Sequence, residues 1–322
     1  LIVKKFKSLD ECVVFEVDGS AFEAHVDVWQ LEQEHSVYAA AYSDDPELAR
    51  LLARQRVNEG VTPGGVRFSR AGGRASGDFN TGMGNTLIMS VVVVAVLKHL
   101  KVPFDILVDG DNALVFMRLC DSSRVMSCFA PLALEFSGHE MVLERPVRHI
   151  EGIRFGQCAP VEVAPGVYTM VRDWRKVISQ MTSSHAHMEQ PRFVPRYLRG
   201  VAFCELSLNA GLPIVQNLAR RLVHLTEGSR AVGEHFYRDY QAMGVEVDSA
   251  WKAKFKEPTP RTRESYCRAY GLDPQAQIEV ERALDLVTLR IDKWDPEESP
   301  WVFGNILDAR PGLVEPFFGV SE

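Results

Sequence analysis

An apolar run near the start of the chain, Val13, Val14, Phe15 and Val17, is broken only by Glu16 and closed by Asp18. It predicts a buried strand. The residues before it, from Leu1, are strand-like as well. Residues 28–41 carry helical spacing and helix formers. Asp44, Asp45 and Pro46 mark a turn, and Pro46 suits the first turn of a helix through Arg56. Gly60, Gly64, Gly65, Gly72, Gly73 and Gly77 make residues 59–77 a loop with room for one short strand. A long helix is expected from about Asp78 to His99.

Phe104 to Val108 and Ala113 to Met117 are β-type runs around Asp109-Gly110-Asp111-Asn112. Asp-Gly between apolar runs is a strong hairpin signal. A second hairpin is expected around Pro165-Gly166, pairing Arg154 to Val163 with Val167 to Val171. Beyond Trp174 the pattern is helical, split by Pro191, Pro195, Gly211-Leu212-Pro213 and Glu257-Pro258-Thr259-Pro260. The stretch from Trp294 is rich in Pro, Gly and aromatics and reads as an irregular tail. Antiparallel hairpins among helices make the fold class α+β rather than a parallel doubly wound sheet.

Composition narrows this picture. The chain has 322 residues, 46% hydrophobic, enough for a sizeable core and about two domains. It opens on Leu1 rather than Met, as a piece of a longer protein would, and no signal-peptide pattern begins it. Residues 86–97 are strongly apolar, but the run is shorter than the roughly 20 residues a bilayer needs. Lys98, His99 and Lys101 close it, which predicts a core helix. The net charge of −7 argues against indiscriminate nucleic-acid binding. Basic residues still gather late, at Arg172, Arg175 and Lys176, at Arg192, Arg196 and Arg199, and at Lys252, Lys254 and Lys256. Each cluster reads as a solvated helix face or as part of a local basic groove. Six scattered cysteines without a C-x-x-C pair disfavour zinc and suit free thiols in a reducing compartment.

Asp18 ends a strand and Asp111 sits at a hairpin tip, positions that can be neighbours in one sheet. Two carboxylates there suit a hard cation, since Mg²⁺ takes a few carboxylates plus substrate phosphates. Asp in an Asp-Gly turn is also ordinary turn chemistry. Arg74-Ala75-Ser76-Gly77-Asp78-Phe79-Asn80-Thr81 precedes the long helix, and Asn85 lies one turn further on. A glycine permits close backbone approach to a ligand. Thr81 and Asn85 share a helix face and could read a sugar hydroxyl. Ser-Gly-Asp is equally a helix N-cap pattern.

Taken in order, these segments resemble polymerase motifs A, B and C of positive-strand RNA viruses, in the tombusvirus-like group. Asp18-Gly19-Ser20-Ala21-Phe22-Glu23-Ala24-His25-Val26, with Glu34-His35-Ser36-Val37-Tyr38, resembles motif A and the helix after it. Ser76 to Met89 resembles motif B, and Gly110-Asp111-Asn112 resembles motif C. Ile153-Arg154-Phe155-Gly156-Gln157 looks like motif E, followed by Met170-Val171-Arg172-Asp173. Thr262-Arg263-Glu264-Ser265-Tyr266 and Arg268-Ala269-Tyr270-Gly271 resemble a thumb segment. The resemblance covers about residues 10–275.

The resemblance implies a right-hand polymerase fold: residues 1–173 as palm with a partial fingers insertion at about 40–75, and 174–322 as a mainly helical thumb and tail. The N-terminal fingers segment would be missing, so residues 1–322 alone should be inactive or nearly so. It implies RNA-templated RNA synthesis for viral genome replication. Asp18 and Asp111 would hold two Mg²⁺ ions, with Mn²⁺ able to substitute, and Asn112 would stand beside them. Glu23, Ser76, Gly77, Thr81 and Asn85 would contact the nucleotide and its ribose 2′-hydroxyl. Phe155, Gly156 and Gln157 would grip the primer strand. The implied partners are RNA template, nascent RNA, NTPs, the fingers segment and viral replication co-factors. The implied location is the host cytoplasm, in a membrane-associated replication complex.

Three positions depart from the family pattern. Glu23 stands where a second Asp is common. Asn112 stands where Asp is usual. The motif D region, Gly138 to Glu144, lacks the Lys that protonates pyrophosphate; His139 is a candidate donor or a plain surface histidine. These departures keep open a catalytically dead relative acting as an RNA-binding or assembly scaffold. A reverse transcriptase shares the palm, but the RNA-type motif B disfavours it.

Overall fold

The computed structural model describes residues 1–43, 45–183 and 190–289, and the backbone of 307–308. Asp44 and the tail from Trp294 thus lie largely outside the described residues. The chain divides into two compact units, one ending at Gly156 and one beginning at Gln157. The fold is mixed α and β with antiparallel sheets.

The first unit begins with helix α1 (Ile2–Phe6), where a strand-like start was expected. Ile2 and Phe6 are one helical turn apart and pack on one cluster, so the apolar residues serve a helix rather than a strand. Strand β1 (Cys12–Gly19) follows, then α2 (Phe22–His25), α3 (Val28–Ala41) and α4 (Pro46–Ala53). Asp27 and Gln30 form a reciprocal capping box that fixes the start of α3. The glycine-rich segment forms two strands, not one: β2 (Val57–Val61) pairs with β3 (Arg67–Ala71).

Helix α5 (Thr81–His99) starts after Asn80, slightly later than expected, because residues 75–80 are a loop. By length and composition it could cross a membrane. Here Met89, Val93, Val96 and Leu97 are fully buried in the core, as the sequence led us to expect. The hairpin β4 (Phe104–Asp109) and β5 (Asn112–Arg118) leads into α6 (Leu119–Ser137) and β6 (Met141–Leu143). Helix α6 was not anticipated. Pro131 interrupts its backbone donors, yet Val125, Phe129 and Ala133, four apart, bury one stripe that holds it.

The sheet order is β4-β5-β1-β6. Val13, Phe15 and Val17 of β1 face α5 and α6, where Phe15 meets Phe129 edge-on at 6.1 Å. The alternate residues Cys12 and Val14 pack with Leu114, Phe116 and Ile153 on the other face. Both faces are covered, which is why β1 reads as a continuous apolar run. Burying each such side chain is worth roughly 1.5–3 kcal/mol.

In the second unit, β7 (Cys158–Ala164) and β8 (Val167–Arg172) form the hairpin around Pro165-Gly166, starting later than expected. Helices α7 (Trp174–Met181), α8 (Val194–Leu208), α9 (Val215–Leu225), α10 (Arg238–Ala242), α11 (Val247–Ala250), α12 (Pro260–Tyr270) and α13 (Pro274–Asp285) follow. Helix α12 packs on β7, where Ser265 Oγ accepts the Glu162 N–H at 2.8 Å. Buried carboxylates organise this core: Glu205 takes Arg172 and the Tyr240 hydroxyl, and Glu281 takes Arg263 in a bidentate pair. A two-residue strand β9 (Thr288–Leu289) pairs with β10 (Leu307–Asp308).

Candidate active site

The site lies at one end of the four-stranded sheet of the first unit. Asp109 of β4 pairs with Asn112 of β5, and Asn112 pairs in turn with Asp18 of β1. Three neighbouring strands therefore align Asp109, Asn112 and Asp18, with Asp111 at the hairpin tip. The turn is centred on Gly110 and Asp111, one residue later than an Asp-Gly turn would be. Gly110 has φ 61, which a first central residue of a primed hairpin turn requires. Thr86 Oγ1 on α5 accepts the Gly110 N–H at 2.8 Å and donates to Gly82 O at 2.7 Å, bracing the turn against α5.

Past Asp18 the chain turns sharply. A Cβ on Gly19 would lie 2.5 Å from Cδ2 of Phe22, whose ring is fully buried. Ala21 adopts left-handed backbone (φ 46, ψ 46), a conformation costly for a non-glycine residue and commonest at functional sites. This turn starts α2 and carries Glu23 into electrostatic reach of Asp111. Burial lifts the Asp111 carboxyl above its ordinary pKa, and Glu23, Asp18 and Asp109 push it the same way.

Asn85 is buried in α5 and its Nδ2 donates to Glu23 Oε1 at 3.3 Å, while its Oδ1 has no partner. Thr81 is turned otherwise: its hydroxyl hydrogen-bonds to the Ala75 and Asp78 carbonyls. Ser76 and Gly77 lie in the exposed loop, and a Cβ on Gly77 would meet nothing within 4 Å. Of the side chains expected together, Asn85 is the one hydrogen-bonded to Glu23, while Ser76 is exposed and the Thr81 hydroxyl is taken by loop carbonyls.

Phe155 packs on the β1 face that carries Glu16 and Asp18, and the Gly156 N–H donates to Glu16 Oε1 at 3.3 Å. Gly156 and Gln157 both have left-handed φ, 54 and 64. Gln157 belongs to the second unit, where its Oε1 accepts from Lys176 Nζ at 2.7 Å.

His139 is not a surface histidine. It is fully buried, stacked on Phe22 at 4.3 Å, and its Nε2 lies 3.1 Å from Gln30 Oε1. Burial, reinforced by His25, pushes its pKa down to about 4. It is neutral at neutral pH, and its ring is enclosed rather than exposed.

Sequence reasoning also gave no role to Thr86, Glu16 or the Glu34–Arg74 ion pair, which is fully buried. Nothing local marks them, because their partners are 24 to 140 residues away. In the second unit the expected basic clusters are partly spent. Arg172 pairs with Glu205 and Arg175 lies over Trp174 at 4.4 Å. Arg196 and Arg199, with Arg230, line a cavity of about 710 Å³ that also touches Phe203 and Trp251.

No group of three or more His, Cys, Asp or Glu side chains among the described residues is arranged to hold a metal alone. The donor set nonetheless fits a hard divalent cation that takes its other ligands from phosphates and water. Burial first, and then the Glu23, Asp18 and Asp109 carboxylates, hold the Asp111 pKa up, and a cation bound there would offset both.

The acidic end of this sheet thus meets α5 through the Glu23–Asn85 hydrogen bond. A family model described as viral RNA dependent RNA polymerase matches residues 1–292, and the chain belongs to that family. It is 30% identical over 295 residues to the RNA-directed RNA polymerase of Tobacco necrosis virus (strain A), covering 90% of this chain and 40% of that protein. It is 32% identical over 294 residues to the putative RNA-directed RNA polymerase of Barley yellow dwarf virus (isolate PAV), with 90% and 33% covered. The polymerase of Carnation mottle virus is 30% identical over 292 residues, with 88% and 37% covered. The chain thus spans between a third and two-fifths of the length of these relatives.

Proposed function

We propose that this chain is the catalytic portion of a polymerase that copies RNA into RNA for viral genome replication. Residues 1–173 would form the palm with a partial fingers insertion at about 40–75, and 174–322 the thumb and tail. The observation that carries the reading is the convergence of Asp18 and Asp111 at one end of the sheet, with Glu23 and Asp109 in electrostatic reach. Family membership and the relatives' printed names support it.

In this reading Asp18 and Asp111 hold two Mg²⁺ ions, or Mn²⁺ in their place, beside Asn112. The bound ions would acidify the primer 3′-hydroxyl and neutralise charge building on the α-phosphate and pyrophosphate. The chain's own part is positioning. Asn85, held by Glu23 with a free buried Oδ1, is suited to accept a hydrogen bond from the ribose 2′-hydroxyl. Ser76 and Gly77 would approach the nucleotide from the exposed loop, with Thr81 tying that loop to α5. Phe155, Gly156 and Gln157 would steady the primer end. The partners in this reading are template and nascent RNA, NTPs, an N-terminal fingers segment and viral co-factors, in a membrane-associated complex of the host cytoplasm.

The full-length protein, given an RNA template and either NTPs or dNTPs, tests the substrate class. Ribonucleotide incorporation is expected, with selectivity reduced in Asn85→Ala. Incorporation of dNTPs alone would identify a DNA-synthesising relative and overturn the reading.

A further inference from the structure

The loop of residues 75–79, with Ser76 and Gly77 at its exposed part, is held at both ends by one buried carboxylate. Glu34 on α3 pairs through Oε2 with Arg74, just before the loop. Its Oε1 accepts from Asn80 Nδ2, just after the loop, and from the Tyr38 hydroxyl, each at 2.8 Å. The side chains of Glu34 and Arg74 are both 0% exposed. Tyr38, its pKa pushed up to about 12 by burial and by Glu34, stays a neutral donor. Asn80 is supported in turn by Gln55, whose Oε1 lies 3.1 Å from His35 Nε2. Gly84 leaves the space the pair needs, since a Cβ there would lie 2.3 Å from Glu34 Oε1.

The backbone continues the same attachment. Gly73 and Arg74 donate their N–H groups to Val26 and Glu23 carbonyls at 2.6 and 2.8 Å, so the loop starts alongside Glu23 itself. A buried ion pair is a poor way to gain stability, because desolvation offsets most of its attraction. Here Arg74 even keeps Nε and Nη1 buried without partners. What such a pair can provide is one defined geometry.

We propose that Glu34 is a positioning residue that clamps the 75–79 loop to the Glu23–Asn85 sugar site through Arg74 and Asn80. It touches neither nucleotide nor metal and acts by fixing where Ser76 and Gly77 stand. The role in sugar selection rests on the polymerase reading; the clamping of the loop does not.

Two variants separate the clamp from simple stability. In Glu34→Met/Tyr38→Phe/Arg74→Met the polar cluster becomes apolar, so no buried charge is orphaned and the melting temperature should stay near the parent's. Asn80→Ala cuts one anchor at a half-buried position and serves if the triple variant fails to fold. In both, hydrogen exchange of the 75–80 amides should quicken at least tenfold, while exchange in β1 and β5 stays unchanged. NTP over dNTP selectivity in the full-length protein should fall about tenfold, with KM for NTP moving more than kcat. Parental exchange in the loop of both variants would overturn the clamp. Faster exchange with unchanged selectivity would overturn the positioning role, provided Asn85→Ala does lower selectivity. If Asn85→Ala does not, or no RNA is made at all, the sugar-site or polymerase reading fails, and exchange alone judges the clamp.

Discussion

Acid should expose the burial of His139 as a measurable loss of stability. Its Nε2 is engaged by Gln30 Oε1, and its Nδ1 is buried without a partner, so a second ring proton would have no acceptor. His25 adds like charge to the protonated form, and Asp27 only partly offsets it. The folded state therefore takes up the proton only near pH 4, the unfolded chain near 6.5. Above 6.5 the ring is neutral in both states and the contribution is complete. Between 6.5 and 4 the unfolded chain binds a proton the folded state refuses, so stability falls as pH falls. At 1.36 kcal/mol per pH unit, the interval is worth about 3 kcal/mol. The assay is urea unfolding of parent and His139→Phe at pH 7, 6, 5 and 4. Phe keeps the ring stacked on Phe22 and removes the titration. The variant begins at a disadvantage from the lost Gln30 contact and should gain about 3 kcal/mol on the parent by pH 4. Parallel curves would refute the burial argument.

Three further outcomes follow from the same geometry. The Asp111 carboxyl is held above its ordinary pKa, so its charge destabilises the metal-free fold at neutral pH; Asp111→Asn should melt higher than the parent at pH 7 without Mg²⁺, and the gap should narrow as pH falls through the raised folded pKa and be gone below 3.8. Thr86→Val strips the acceptor from the Gly110 N–H and should cost about 1–3 kcal/mol in urea unfolding, whereas Thr86→Ser should not; equal stability of the two would remove Thr86 as a brace. Asn112 carries no charge beside Asp111, so Asn112→Asp should bind Mg²⁺ more tightly and lessen the stimulation by Mn²⁺ in the full-length protein; identical rate curves against either metal would show that position 112 does not tune the site.

The legible parts were those whose signals are local. β1, the β4–β5 hairpin and α3 were readable because period, turn residues and caps lie within a few positions of each other. Asp18, Asp111, Glu23 and Asn85 were readable as a set only through the resemblance of their segments to known motifs. Helix α6 escaped because Pro131 masks its pattern, and β2–β3 because glycines hide a hairpin whose strands are exposed. His139 was misjudged because burial depends on Phe22 and Gln30, more than 100 residues earlier. Glu34 and Arg74 stand 40 residues apart, and only the fold reveals that they share one buried site.

The central claim is that Asp18 and Asp111 form the catalytic centre of an RNA-copying enzyme. Incorporation of labelled ribonucleotides on an RNA template by the full-length protein, compared with Asp18→Ala and Asp111→Ala, tests it most directly. The account predicts template-dependent incorporation by the parent and none by either variant in Mg²⁺ or Mn²⁺, with both variants folded. Incorporation by either variant at the parent's rate, or none by a folded parent, would contradict it.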